Sequence, residues 1–305
     1  MLSIRNAART RAAIAGMLLV LLAACATDTT TLKSQRVAVD AKPNGIAVRP
    51  GDGMVFLTDD TTGSILSSAD AHTFTPYAAI PAGGAAGNSL SQLSFADART
   101  LLIERFGFGT SSALLAVNAP NAVTVLAGPD PARRRLGLAI VAPGQALSTW
   151  FVKDGNQPAR GGLSLLTYNL AAGTATERDL LSGLGKPVGV AIAGNTVFVS
   201  DQANHAIVSA PLDALLASTQ PSAQHHVVAR VESPDLLAAD SNGTLYTKCN
   251  STDFCRISSD GTAFVIASDF HDARGVAIDT ARHRLYVVDR AASGGPSYVH
   301  ILSLP

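Results

Sequence analysis

A short phrase returns along this chain at a nearly constant interval, and it limits the possible fold more than any other feature. It first reads Pro43-Asn44-Gly45-Ile46-Ala47-Val48, followed by Met54-Val55-Phe56-Leu57-Thr58-Asp59. It returns as Pro187-Val188-Gly189-Val190-Ala191-Ile192 with Thr196-Val197-Phe198-Val199-Ser200-Asp201, and as Arg274-Gly275-Val276-Ala277-Ile278-Asp279 with Arg284-Leu285-Tyr286-Val287-Val288-Asp289. Weaker copies begin at Gln92, Arg135 and Pro234. From Gly45 to Gly275 there are 230 residues and five intervals, about 46 residues each. That period suits a four-stranded blade and is too long for a leucine-rich or ankyrin unit. The spacing predicts an all-β chain folded as a six-bladed β-propeller.

The second run of each copy is built of strand-forming residues with almost no polar interruption. A strand with one wet face would alternate, so these runs are expected to be covered on both sides by neighbouring blades. Asp59, Asp201 and Asp289 close the runs at one repeated position, ahead of turn-forming residues, and read as turn caps. Outer strands precede each phrase, as at 123–126, 227–230 and 264–267. Arg36-Val37-Ala38-Val39 is a run of the same kind with no blade ahead of it, while the last blade, ending at Tyr298 to Leu302, is one strand short. Residues 36 to 40 are therefore expected to complete the last blade as its outer strand, removing two exposed sheet edges.

The beginning of the chain reads as an address. Arg5, Arg9 and Arg11 precede the apolar stretch Ala12 to Ala24, which is too short for an ordinary membrane span and right for a secretory signal. Leu22-Ala23-Ala24-Cys25 resembles the bacterial lipobox, which implies that Cys25 is lipidated and becomes the mature N-terminus. The expected organisation is a lipoprotein signal peptide over 1–24, a lipid anchor and Thr-rich tether over 25–35, and a propeller domain over 36–305. The membrane is then a partner through several acyl chains, palmitate among them, because stable anchoring needs more than one. Ala26 rather than aspartate, by resemblance to enterobacterial lipoproteins, implies the outer membrane, facing the periplasm. Cys249 and Cys255 flank a short loop, and an oxidising compartment favours a disulfide between them. Metal binding is the alternative, but no second Cys or His pair stands at zinc spacing.

The 23 basic and 23 acidic residues include Arg5, Arg9 and Arg11 and no acid before Cys25, leaving 20 against 23, formally −3, from there onward. No basic footprint for nucleic acid remains, and Arg133-Arg134-Arg135 reads as a solvated loop. The chain carries no Gly-x-Ser-x-Gly elbow, His-Glu-x-x-His helix or phosphate-binding Gly-x-x-x-x-Gly-Lys, and no catalytic residue is assigned. In a propeller, the loops entering the inner strands open on one face around the axis. That gathers Asn44, Arg135, Lys186, Asp235 and Arg274, with Glu104, Lys153 and Asp154 nearby. Three cations against one acid in the inner group predict a small anionic ligand or an acidic partner segment.

The phrase Gly-Val-Ala-Ile with Val197-Phe198-Val199-Ser200-Asp201-Gln202-Ala203-Asn204-His205-Ala206-Ile207 is similar to the NHL repeat. Residues 36 to 305 as a whole resemble the six-bladed superfamily of gluconolactonase or SMP-30 and strictosidine-synthase-like proteins. The gluconolactonase resemblance implies a divalent metal at the pore mouth, held by a Glu, an Asn and an Asp. Asp235 stands at the Asp position, but Asn44 replaces the Glu and Val188 the Asn, and an aliphatic side chain cannot ligate a hard cation. The first expectation is therefore a lipid-anchored envelope protein that binds a partner or acts as a scaffold rather than an enzyme, with no cofactor. One alternative is a lactonase-type hydrolase, which would need a divalent metal. The other is a receptor for a small anion.

Overall fold

The structure, a computed structural model, describes residues 31–84, 89–292 and 294–305. The expected signal peptide, the lipidation site Cys25 and most of the tether lie outside the described residues.

The described residues form six four-stranded antiparallel sheets, one short α-helix and a single 3-10 turn at Gln202–Asn204. A first strand, β1 (Ser34–Val39), stands ahead of the blades. Blade one is β2 (Ile46–Val48), β3 (Val55–Asp59), β4 (Ser64–Ser68) and β5 (Thr75–Ala79). Blade two is β6 (Leu90–Phe95), β7 (Leu101–Arg105), β8 (Ala113–Val117) and β9 (Val123–Leu126). Blade three is β10 (Arg134–Ala142), β11 (Gln145–Val152), β12 (Arg160–Asn169) and β13 (Thr174–Leu184). Blade four is β14 (Pro187–Ala193), β15 (Thr196–Asp201), β16 (Ala206–Pro211) and β17 (His226–Arg230), with α1 (Leu212–Ala217) packing Leu215 inward. Blade five is β18 (Ala238–Ala239), β19 (Leu245–Lys248), β20 (Phe254–Ile257) and β21 (Ala263–Ala267). Blade six holds β22 (Ala273–Asp279), β23 (Arg284–Asp289) and β24 (Ser297–Ser303), and β1 is its fourth strand. Six consecutive pairs from Ser34↔Leu302 to Val39↔Ser297 zip β1 onto β24, two residues earlier than the sequence implies. The Arg36 guanidinium lies 3.9 Å from the Tyr298 ring centroid on that seam.

The apolar runs are buried because blades press face to face. Leu147, Leu163 and Leu165 of blade three meet Val190, Val199 and Val208 of blade four in one cluster, and each other interface has a cluster of the same kind. Outer strands are wetter, and Val125, Val227 and Phe264 are exposed there.

The repeated aspartates are structural. Asp201 accepts from the Gly185 and Lys186 amides, both at 2.9 Å. Asp59 takes the Lys42 and Thr61 amides, and Asp289 those of His271 and Asp272. Each ties the exit of a second strand to the loop entering the first. Beside them, buried hydroxyls bridge blades near the axis. Ser200 Oγ accepts from the Gly189 amide at 2.7 Å and donates to the Asp235 carbonyl of blade five at 2.6 Å. Thr149 does the same between Gly137 and Val188. The phrase glycines explain why the repeat is so constant. A Cβ on Gly189 would sit 2.5 Å from Leu237 N and 2.7 Å from the Asp235 carbonyl oxygen, and Gly45, Gly137 and Gly275 meet the next blade's backbone in the same way. The expected disulfide joins Cys249 and Cys255 across the β19–β20 loop, with a Cα–Cα distance of 5.7 Å.

Candidate functional site: the mouth of the central channel

A cavity of about 850 Å³ opens where the loops enter the inner strands. Two sets of equivalent positions line it. The first is the residue before each phrase glycine or its counterpart: Asn44, Ser91, Leu136, Val188, Asp235 and Arg274. The second is the residue after each capping aspartate or its counterpart: Asp60, Phe106, Phe151, Gln202 and Arg290.

Four of the five expected channel residues, Asn44, Lys186, Asp235 and Arg274, line this cavity. Arg135 does not. Strand residues alternate in direction, so Arg134 and Leu136 face the mouth, as Lys186 and Val188 do in blade four, while Arg135 turns between blades two and three. There it is fully buried and donates to Glu177 Oε2 at 2.5 Å. The solvated-loop expectation for Arg133 to Arg135 is also overturned. Arg133 is clamped by Glu177 and Asp179 with its guanidinium carbon 3.8 Å from the Trp150 ring centroid. Of the neighbours, Lys153 lines the cavity. Asp154 is exposed in a pair with Arg160 at 3.3 Å. Glu104 is fully buried beside Arg135, with neither carboxylate oxygen hydrogen-bonded among the described residues. Burial pushes its pKa up to about 7, against the pull of Arg135.

Charge is distributed unevenly around the mouth. In blades five, six and one the charges satisfy one another. Arg274 lies 2.6 Å from Asp272 and 3.4 Å from Asp235. Arg290 donates to Asp60 at 2.6 Å and to the Asn44 side chain at 2.7 Å. Burial outweighs these partners at Asp60, whose pKa is raised. In blades three and four, among the described residues, no carboxylate comes within salt-bridge distance of Arg134, Lys153 or Lys186. Lys186 Nζ donates instead to Gln202 at 2.6 Å. Burial above all, together with the fields of Arg274, Lys153 and Arg134, holds its pKa below the ordinary ammonium value despite Asp235.

A divalent metal does not fit this donor set. One oxygen of Asp235 accepts from the Leu236 amide and the other faces the Arg274 guanidinium. The Asn44 side chain is committed to Asp60, Arg290 and the Leu90 carbonyl, and Val188 offers no donor. Among the described residues no group of three His, Cys, Asp or Glu side chains could hold a metal ion.

Reasoning from the sequence missed Arg134, Arg290, Asp60 and the phenylalanines. Their signal was present, since a residue two before each ring position or one after each capping position must share its direction. No protein-family model and no curated protein matches the sequence. Solved structures do match in fold. A gluconolactonase from Xanthomonas campestris is 16% identical over 91% of this chain and 92% of its own, with a TM-score of 0.67. Regucalcin, a calcium-binding protein from Agrobacterium tumefaciens, is 15% identical over 88% and 91%, with a TM-score of 0.66. Virginiamycin B lyase from Staphylococcus aureus is 13% identical over 90% and 100%, with a TM-score of 0.59. In architecture the chain is a β-propeller of six blades, and it shares its fold with the gluconolactonase, regucalcin and virginiamycin B lyase structures.

Proposed function

We propose that this protein binds a small anionic ligand at the channel mouth, from a lipid-anchored position on the bacterial cell envelope. The observation that carries the binding reading is the trio Arg134, Lys153 and Lys186, which face one cavity without a carboxylate partner among the described residues. Gathering like charges at a partly buried site costs stability, and an anion relieves that cost. Binding should therefore raise the melting temperature by mass action. The test is thermal unfolding of the purified protein with millimolar acetate, inorganic phosphate and 3-phenylpropionate, at low and high salt. At least one anion is expected to raise Tm, salt should diminish the rise, and Lys186→Ala should abolish it. No shift with any of these anions would refute the reading.

A second reading, metal-dependent lactone hydrolysis, draws support from the gluconolactonase likeness. The donor set opposes it, because a cation at Asp235 would have to displace Arg274. Calcium- or zinc-dependent opening of gluconolactone by the purified protein would revive it.

The envelope placement rests on the lipobox-like Leu22 to Cys25 behind a charged and apolar start. Labelled palmitate fed to expressing bacteria is expected to enter the protein and to be lost completely in Cys25→Ser. Equal labelling of both forms would remove the anchor from the proposal.

A further inference from the structure

The two halves of the mouth differ in more than charge. Where blades five, six and one meet, guanidinium and carboxylate groups neutralise one another. Blades two to four offer cations that have no carboxylate partner among the described residues, beside an apolar surface. Phe106 and Phe108 meet edge to face at 5.1 Å between centroids, and Phe106 lies 5.9 Å from Phe151. Leu136 and Val188 continue this surface along the inner ring. The Arg134 guanidinium lies 5.2 Å from the Phe108 centroid, 5.6 Å from that of Phe151 and 5.9 Å from that of Phe106. A guanidinium over aromatic faces keeps its N–H edge available for an anion. Arg134 makes no side-chain hydrogen bond or ion pair among the described residues, and Phe108 is 44% exposed at the rim.

A site for a simple inorganic ion needs no aromatic wall, and a site for a neutral apolar ligand would not assemble three cations. The juxtaposition matches a molecule with both parts. We infer that the ligand is an amphipathic anion. Its acidic head, carboxylate or phosphate, sits among Lys186, Arg134 and Lys153, and its aryl or acyl body lies on Phe106 and Phe108 above Leu136 and Val188. This inference rests on the anion-binding reading and narrows it to a ligand class.

Calorimetric titration of the purified protein at low salt tests it with 3-phenylpropionate, phenyl phosphate, acetate, inorganic phosphate and 3-phenylpropan-1-ol. At least one aryl anion is expected to bind about tenfold or more tightly than its bare counterpart, acetate or phosphate. The uncharged alcohol should bind at least about tenfold more weakly than the acid of the same skeleton. Comparison of the two aryl anions assigns the head group. Phe108→Ala should shrink the aryl preference by about threefold to tenfold, whereas Lys186→Ala should weaken every anion. If acetate or phosphate binds as tightly as its aryl partner, the amphipathic ligand is excluded and the anion site survives. Equal binding of acid and alcohol overturns both readings, as does the absence of any binding.

Discussion

Gly275→Ala should destabilise this protein by about 3 kcal/mol, out of proportion to the addition of one methyl group. The new Cβ would lie 2.5 Å from the Asn44 carbonyl oxygen, 2.9 Å from Gly45 Cα and 3.0 Å from Ile46 N. All three are backbone atoms of the next blade, so no side chain can swing aside to make room. Blades six and one would have to separate at the axis, disturbing packing on both sides of that seam. Urea unfolding followed by fluorescence of Trp150, the one tryptophan, measures the loss. Gly295→Ala is the control. Its Cβ meets nothing within 4 Å, and the change should stay within about 0.5 kcal/mol. Comparable losses for both variants would mean that blade spacing at the axis is not what the phrase glycine protects.

Between pH 5 and pH 8, Glu104→Thr should gain stability relative to the wild type by about 2 to 3 kcal/mol. The residue after the central pair of each second strand is Thr58, Thr149, Ser200 or Thr247 in four blades, each a buried hydroxyl bonded near the axis. Blade two places Glu104 there, after the Leu93↔Ile103 pair. Its pKa stands at about 7 in the folded protein against 4.5 as the ordinary value, with desolvation as the main cause. A raised carboxyl pKa means that the folded state holds the proton more tightly than the unfolded one. The full stability is therefore present below about pH 4.5 and declines as pH rises towards and through 7. A shift of that size corresponds to roughly 3 kcal/mol. Chemical denaturation at pH 5 and pH 8 should show the wild type weakening across that interval relative to the variant. A wild type and variant whose difference stays constant from pH 5 to pH 8 would rule out Glu104 as the titrating group. Arg135 keeps its bond to Glu177 in either case.

These two sites also show what could be read in advance. The β content, the number of blades, the capping aspartates, the disulfide and the strand that closes the ring all follow from local patterns repeated along the chain. Each depends on composition and spacing within a few tens of residues, and every copy reports on the others. The candidate site was legible only in part. Asn44, Lys186, Asp235 and Arg274 were found by their place in the phrase. Arg135 was misplaced by one residue, and in a strand one residue is the difference between the channel and the seam between blades. The degenerate copy in blade three carries three consecutive arginines, so charge alone could not say which of them faces the axis.

The repeating phrase by itself determined the architecture, because a period of this length made of apolar β-formers has few other ways to cover both faces of every strand. Only the tertiary structure decided which charges cancel. Arg274 meets Asp235 and Asp272, Arg290 meets Asp60, and Arg135 meets Glu177, and two of these pairs join residues from different blades. Such pairing depends on distances of a few ångströms between segments far apart in the chain, which no local pattern encodes. What remains uncancelled among the described residues, Arg134, Lys153 and Lys186 beside the phenylalanine wall, is therefore a property of the closed ring.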